Sequence, residues 1–130
     1  MPGNFSVQIG DFAHRHFIKS FEKKYPKYWD VTLRAITAEL ERIDMLLERD
    51  IAETICDVEG VKIIKTKFKV AGTKESAKTS GNRCIVAWIP DKQLVHVLLV
   101  YTKTDLGEGN ETAKWKKLVK DNYPEYARLT

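Results

Sequence analysis

Between Trp29 and Leu47 the apolar residues recur as Trp29, Leu33, Ile36, Leu40, Ile43 and Leu47, at spacings of 4, 3, 4, 3 and 4. This is the strongest periodic signal in the chain, and it restricts the fold more than any other feature. The spacing describes one apolar side of an α-helix, with Asp30 as the carboxylate at its N-terminal end. Such a helix needs a surface to cover. That surface comes later, where the period changes from helical to alternating. In IIKTKFKV (residues 63–70), Ile64, Thr66, Phe68 and Val70 fall on one side of a strand, and Lys65, Lys67 and Lys69 fall on the other.

The other elements read as follows. FSVQI (5–9) is a short strand. Asp11 can cap a helix from Phe12, with Ala13, Phe17, Phe21 and Tyr25 at spacing four, Ile18 beside them and Pro26 as the stop. Two amphipathic helices this close in sequence form an antiparallel hairpin. Residues 49–60 are irregular, with room for another turn of helix. A polar loop, AGTKESAKTSG (71–81), precedes a strand over 83–89, a turn at Pro90-Asp91-Lys92-Gln93 and a strand over 94–101. Asn110 can cap a last helix whose apolar side is Trp115, Leu118 and Val119 and which ends near Pro124. The expected fold is α+β, in the order β-α-α-β-β-β-α. An antiparallel sheet carries the two N-terminal helices on one face, and a helix closes the chain. The other face is left to water, and the three lysines point there.

The 130 residues fit a single domain spanning 1–130, large enough for a real core. The net charge of +4 is unevenly spread. From Lys62 to Arg83, seven cations (Lys62, Lys65, Lys67, Lys69, Lys74, Lys78 and Arg83) face one acid, Glu75, so this segment carries +6 and the remainder −2. A basic region of this kind suits a polyanion. It also suits a solvated face, or a strand edge guarded against aggregation. Cys56 and Cys84 lack the spacing of a zinc site. No signal peptide is visible at the N-terminus, and no stretch reaches the ~18 apolar residues of a membrane span. These features suggest a cytoplasmic chain with two free thiols, no metal and no cofactor. His14 and His16 belong on a helix surface and His96 on a sheet face, while Met45 lies off the main stripe and is left for a partner.

Four stretches then occur in a fixed order: KTKFK (65–69), SGNR (80–83), IVAWIPD (85–91) and VYTK (100–103). Together with the order of elements they resemble the RelE/ParE superfamily of toxin–antitoxin toxins. The likeness is to the RelE and HigB branches, which are ribosome-associated mRNA endonucleases. The sharper match covers residues 61–119. The resemblance implies catalytic roles for Lys65, Lys67, Arg83 and Lys103, and RNA-binding roles for Lys69, Lys74 and Lys78. It implies a cognate antitoxin protein, mRNA and the ribosome as partners, and a translation-inhibiting role. Several members carry an arginine where this chain has Thr104, and a C-terminal Tyr or His for which only the distant Tyr123 offers itself. The ParE branch, thought to act on gyrase, keeps the fold without the cations. A member that only binds RNA or antitoxin is a further reading.

The chemistry implied is metal-independent. The 2′-hydroxyl attacks its own phosphate, the 5′-oxygen leaves, and fixed cations hold the extra negative charge. An arginine fork such as Arg83 suits two phosphate oxygens. A lysine base, Lys65 or Lys67, would have to titrate near 7 rather than the ordinary 10.4. That is about 4–5 kcal/mol of destabilisation of the ammonium, and neighbouring cations push in that direction.

Overall fold

The computed structural model describes residues 4–130. Strand β1 (Ser6–Ile9) leads into helix α1 (residues 11–24), α2 (Trp29–Leu40) and the short α3 (Ile43–Leu46). Strands β2 (Ala52–Val58), β3 (Val61–Lys67), β4 (Asn82–Ile89) and β5 (Leu94–Thr102) follow. Helix α4 (Glu111–Asn122) comes last, with a 3-10 segment, Pro124–Leu129, behind it. The fold is α+β, built on one five-stranded sheet in the order β1-β5-β4-β3-β2.

Three features depart from the expected fold. The sheet is mixed, because β1 runs parallel to β5 while the other neighbours are antiparallel. No tight turn joins β1 to β5, so no turn fixes their relative direction.

The second departure lies in residues 49–60, which contain a strand rather than a further helical turn. Glu59 and Gly60, with φ of 53° and 81°, form a two-residue hairpin turn that sets Val58 opposite Val61. Positive φ at both central residues matches the right-handed twist of the paired strands. A register shift between Thr54 and Cys56 breaks the alternation of β2, which is why its period is hard to read. With β2 on its flank, β3 is an interior strand.

The third departure is that the second sheet face is covered. Ile64, Cys84, Val86, Val95, Val97 and Val100 pack against α1–α3, while Ile63, Ile85, Leu99 and Tyr101 pack against Trp115 and Val119 of α4 and Tyr126 behind it. The row of β3 lysines therefore points toward the α4 side, at the rim of a second core.

The helical stripe of α2 is as expected: Trp29, Ile36 and Leu40 are buried, and Ile43 continues the line on α3. The backbone breaks at Arg42 (φ −123°, ψ 47°) without losing that face. In α1, His14–Ile18 is wound as a π-helix. The wider turn places Ile18 with Phe21 in the α2-side core and sends Phe17, expected there, to the α4-side core with Phe12. Gly10, not Asp11, precedes the helix as its cap. It has to be a glycine, because a Cβ there would collide with the Tyr123 ring.

Strand β5 contains a bulge. Ile85 faces Leu99, but the next residue, Val86, faces Val97, so Leu98 is an extra residue. Leu98 and Leu99 consequently lie on the same, α4-side face.

Candidate active site at the strand ends of the α4 face

Cross-strand pairing puts Lys67 opposite Arg83 and Arg83 opposite Tyr101, one row across β3, β4 and β5. The adjacent row on the same face holds Lys65, Ile85 and Leu99. Lys103 follows β5 in a short 3-10 turn, and its backbone N–H donates to the Gly81 carbonyl at 3.0 Å. That bond ties the end of β5 to the start of β4. Gly81 has φ +79°, a backbone that L side chains rarely adopt. The side chain of Ser80 donates to Phe68 O at 2.6 Å and accepts from Asn82 N at 3.0 Å, anchoring the loop where Arg83 enters the strand.

The four cations named as catalytic do gather at one end of one face. Against two of them, Lys65 and Lys103, stands a carboxylate, Glu111, in the first turn of α4. The helix start is fixed as expected, by Asn110 Oδ1 accepting from Ala113 N at 2.9 Å. Tyr101 OH donates to Glu111 Oε2 at 2.7 Å. Lys65 Nζ stands 3.7 Å from Oε2 and Lys103 Nζ 3.9 Å from Oε1. At these separations the ammonium groups feel the carboxylate's charge but keep donors for another acceptor. The Lys65 side chain is 16% exposed, Lys103 55% and Glu111 22%. The cluster is therefore partly desolvated on the strand side and open on the Lys103 side, where charge interactions weaken toward water.

Arg83 is 3% exposed. Its Nη1 donates to Asn82 O at 2.9 Å, and its Nε is buried without a partner among the described residues. A buried cation with an unused N–H is costly unless something else uses it. Burial, together with the hydrogen bond to Glu111, pushes the Tyr101 hydroxyl well above its ordinary pKa. Tyr101 therefore stays a proton donor to the carboxylate.

The residues named for RNA binding are dispersed. Lys69 lies past the end of β3, exposed, beside a cleft of about 540 Å3 whose lining includes Val31, Ala35, Arg49 and Ala77. Lys74 is exposed in the 71–81 loop. Lys78 pairs with Asp50, and its hydrogen bond and charge hold the Asp50 carboxyl below its ordinary value. Lys62, in the same basic run, sits 4.9 Å over the Trp88 ring, a packing role. His96 is half-buried and shares a 3.2 Å hydrogen bond with Tyr126 OH. Tyr123, the distant C-terminal candidate, donates from its OH to Leu98 O at 2.8 Å and accepts from Ala13 N at 3.2 Å, well occupied as a strut. Among the described residues no His/Cys/Asp/Glu group has the arrangement to hold a metal, and no helix is long and apolar enough to cross a membrane.

Neither Glu111 nor Tyr101 stands out as a site residue in the sequence. Tyr101 lies within VYTK, and its place opposite Arg83 follows only from the strand register. Glu111 gave no signal beyond being an acid after a helix cap, which is ordinary. No protein-family model matches the chain, and no curated protein or solved structure matches it either.

Proposed function

We propose that the protein is a toxin of the RelE/HigB kind, an endonuclease that cuts mRNA and so stops translation. One observation carries this reading: Lys65, Lys67, Arg83 and Lys103, scattered over the sequence, share one end of one sheet face. Guard residues for a sheet edge would not be arranged this way, since β3 is interior. A phosphodiester laid along this end would meet Lys65 and Lys67 on β3 and Lys103 across it. Arg83, rigid between two strands, would supply fixed positive charge beneath the phosphorus as negative charge builds up. Lys74 in the exposed loop would tether flanking phosphates. An antitoxin would silence the protein by covering this end.

The depth of Arg83 favours a second reading, in which the lysines hold an RNA backbone that is not cut. Induced expression with mapping of mRNA 5′ ends separates the two. Cuts inside translated codons that vanish with Arg83→Ala are the expected result. Growth arrest with intact mRNA and broken DNA would point to gyrase instead. Intact mRNA without growth arrest would leave only a binding role.

A further inference from the structure

We infer that Glu111 is the general base of the site, taking the proton of the attacking 2′-hydroxyl, with Tyr101 as its positioning residue. The inference rests on the nuclease reading above and adds a residue outside the cationic set.

The geometry supports it in three ways. First, Glu111 is the one carboxylate within 4 Å of any of the four cations among the described residues. It lies against two of them, where the proton of a bound ribose would arrive. Secondly, it is oriented. Tyr101 OH occupies Oε2 at 2.7 Å, and Tyr101 is itself buried in the α4-side core, so the carboxylate is held by a rigid strand. Oε1 stands 3.9 Å from Lys103 Nζ and makes no hydrogen bond among the described residues, so it can accept one from a substrate. A base within reach of a substrate hydroxyl and held by a third group is the arrangement that proton abstraction requires. Thirdly, a carboxylate is ordinarily ionised at neutral pH and already in its basic form, so no lysine has to lose its proton. The large destabilisation that a lysine base requires is then unnecessary.

The 2′-oxygen gives its proton to Glu111 Oε1 and forms a bond to phosphorus. The bond from phosphorus to the 5′-oxygen breaks, and that oxygen takes a proton from an ammonium group. The in-line geometry puts the attacking and leaving oxygens on opposite sides of phosphorus. The donor must therefore stand away from Glu111. Lys67 does, two residues along β3 from the Lys65 that faces Glu111, an advance of about 7 Å along a strand. The products are a 2′,3′-cyclic phosphate and a 5′-hydroxyl. Proton return from the Glu111 carboxylic acid to Lys67, directly or through water, resets the site. Lys65 and Arg83 face the phosphoryl oxygens between the two.

The test uses the whole protein with two readouts. Cleavage of a translated mRNA is followed in a ribosome-containing extract near neutral pH. Binding of a 2′-O-methyl RNA oligonucleotide, which cannot be cut, is followed by fluorescence anisotropy. Glu111→Gln is expected to lower cleavage about 10²–10³-fold. Binding should be unchanged or tighter, because one negative charge has left the cluster. Tyr101→Phe should lower cleavage less and leave binding of the uncut oligonucleotide unchanged, a split that a purely structural tyrosine would not give. Glu111→Asp should retain part of the rate. Glu111→Gln cutting within threefold of the unaltered protein overturns the inference and leaves the nuclease reading standing. Loss of cleavage and binding together overturns it in favour of a structural role. Failure of the unaltered protein to cut in the extract overturns both.

Discussion

At the scale of single residues, Arg83 separates stability from activity. A buried guanidinium with an idle Nε does not serve stability well, and apolar replacements of buried charges are often neutral or favourable. Arg83→Met is therefore expected to leave the unfolding free energy unchanged or raise it by about 1–2 kcal/mol, while cleavage falls at least about 100-fold. Urea titration beside the mRNA assay checks both, and a loss of 3 kcal/mol or more would make Arg83 structural. The cysteines give a chemical check on burial. The Cys84 thiol is fully buried and pushed up to about 12, chiefly by desolvation. A thiol reagent at pH 8 should label Cys56 and leave Cys84 untouched until denaturant is added. For His96, burial lowers the folded pKa more than the charges of Glu125 and Asp11 raise it. The unfolded chain then binds the extra proton, so stability should fall as pH drops through about 6.5 toward the folded value. His96→Gln should flatten that slope in thermal melts across pH 5–8.

At the scale of elements, two tight contacts hold the pieces that the site depends on. The β2–β3 turn places Glu59, an L-residue, at φ 53°. Its exposed ion pair with Arg128 at 2.7 Å offsets little of that strain. Glu59→Asn should raise stability by about 0.5 kcal/mol, since asparagine tolerates the left-handed region and favours this turn. A drop in the urea midpoint would contradict that. Gly10 meets the Tyr123 ring that braces α4 to α1 and β5. Gly10→Ala should cost about 1–3 kcal/mol by overpacking.

These elements also mark what a sequence can disclose. The stripe from Trp29 to Leu47 predicted the buried side of α2 and α3, because a helix buries residues by angle, and the angle survives even the break at Arg42. The alternation in β3 told the two faces apart for the same reason. Strand β2 was illegible because a register shift at Thr54 to Cys56 spoils its period. The π-turn of α1 was illegible because the wider i→i+5 winding at His14–Ile18 reassigns Phe17, and no residue type announces that. In the site, the cations were legible as charges on alternating positions. Glu111 was not, since it enters from another element by tertiary packing alone.

At the scale of the whole molecule, four cations and one carboxylate meet at the rim of the α4-side core. Single-stranded RNA gripping three or four phosphates there should bind with a slope of log affinity against log salt of about −2 to −3. An anisotropy titration of the 2′-O-methyl oligonucleotide over 50–300 mM salt reads it directly. A flat dependence would mean that the basic end holds no backbone. The sheet itself joins the two ends of the molecule through β5, whose bulge at Leu98 has a consequence for how this strand tolerates change. On either side of Leu98 the strand is read in a different frame: Tyr101 and His96 share a face although their numbers differ in parity. Removing Leu98 would therefore bring the two halves into one frame: Ile85 opposite Leu99 and Val86 opposite Val97 would follow as an unbroken ladder, with Tyr101 still toward Glu111 and His96 still toward Tyr126. A further residue lost after that has no bulge left to absorb it, and would exchange inside for outside over half the strand.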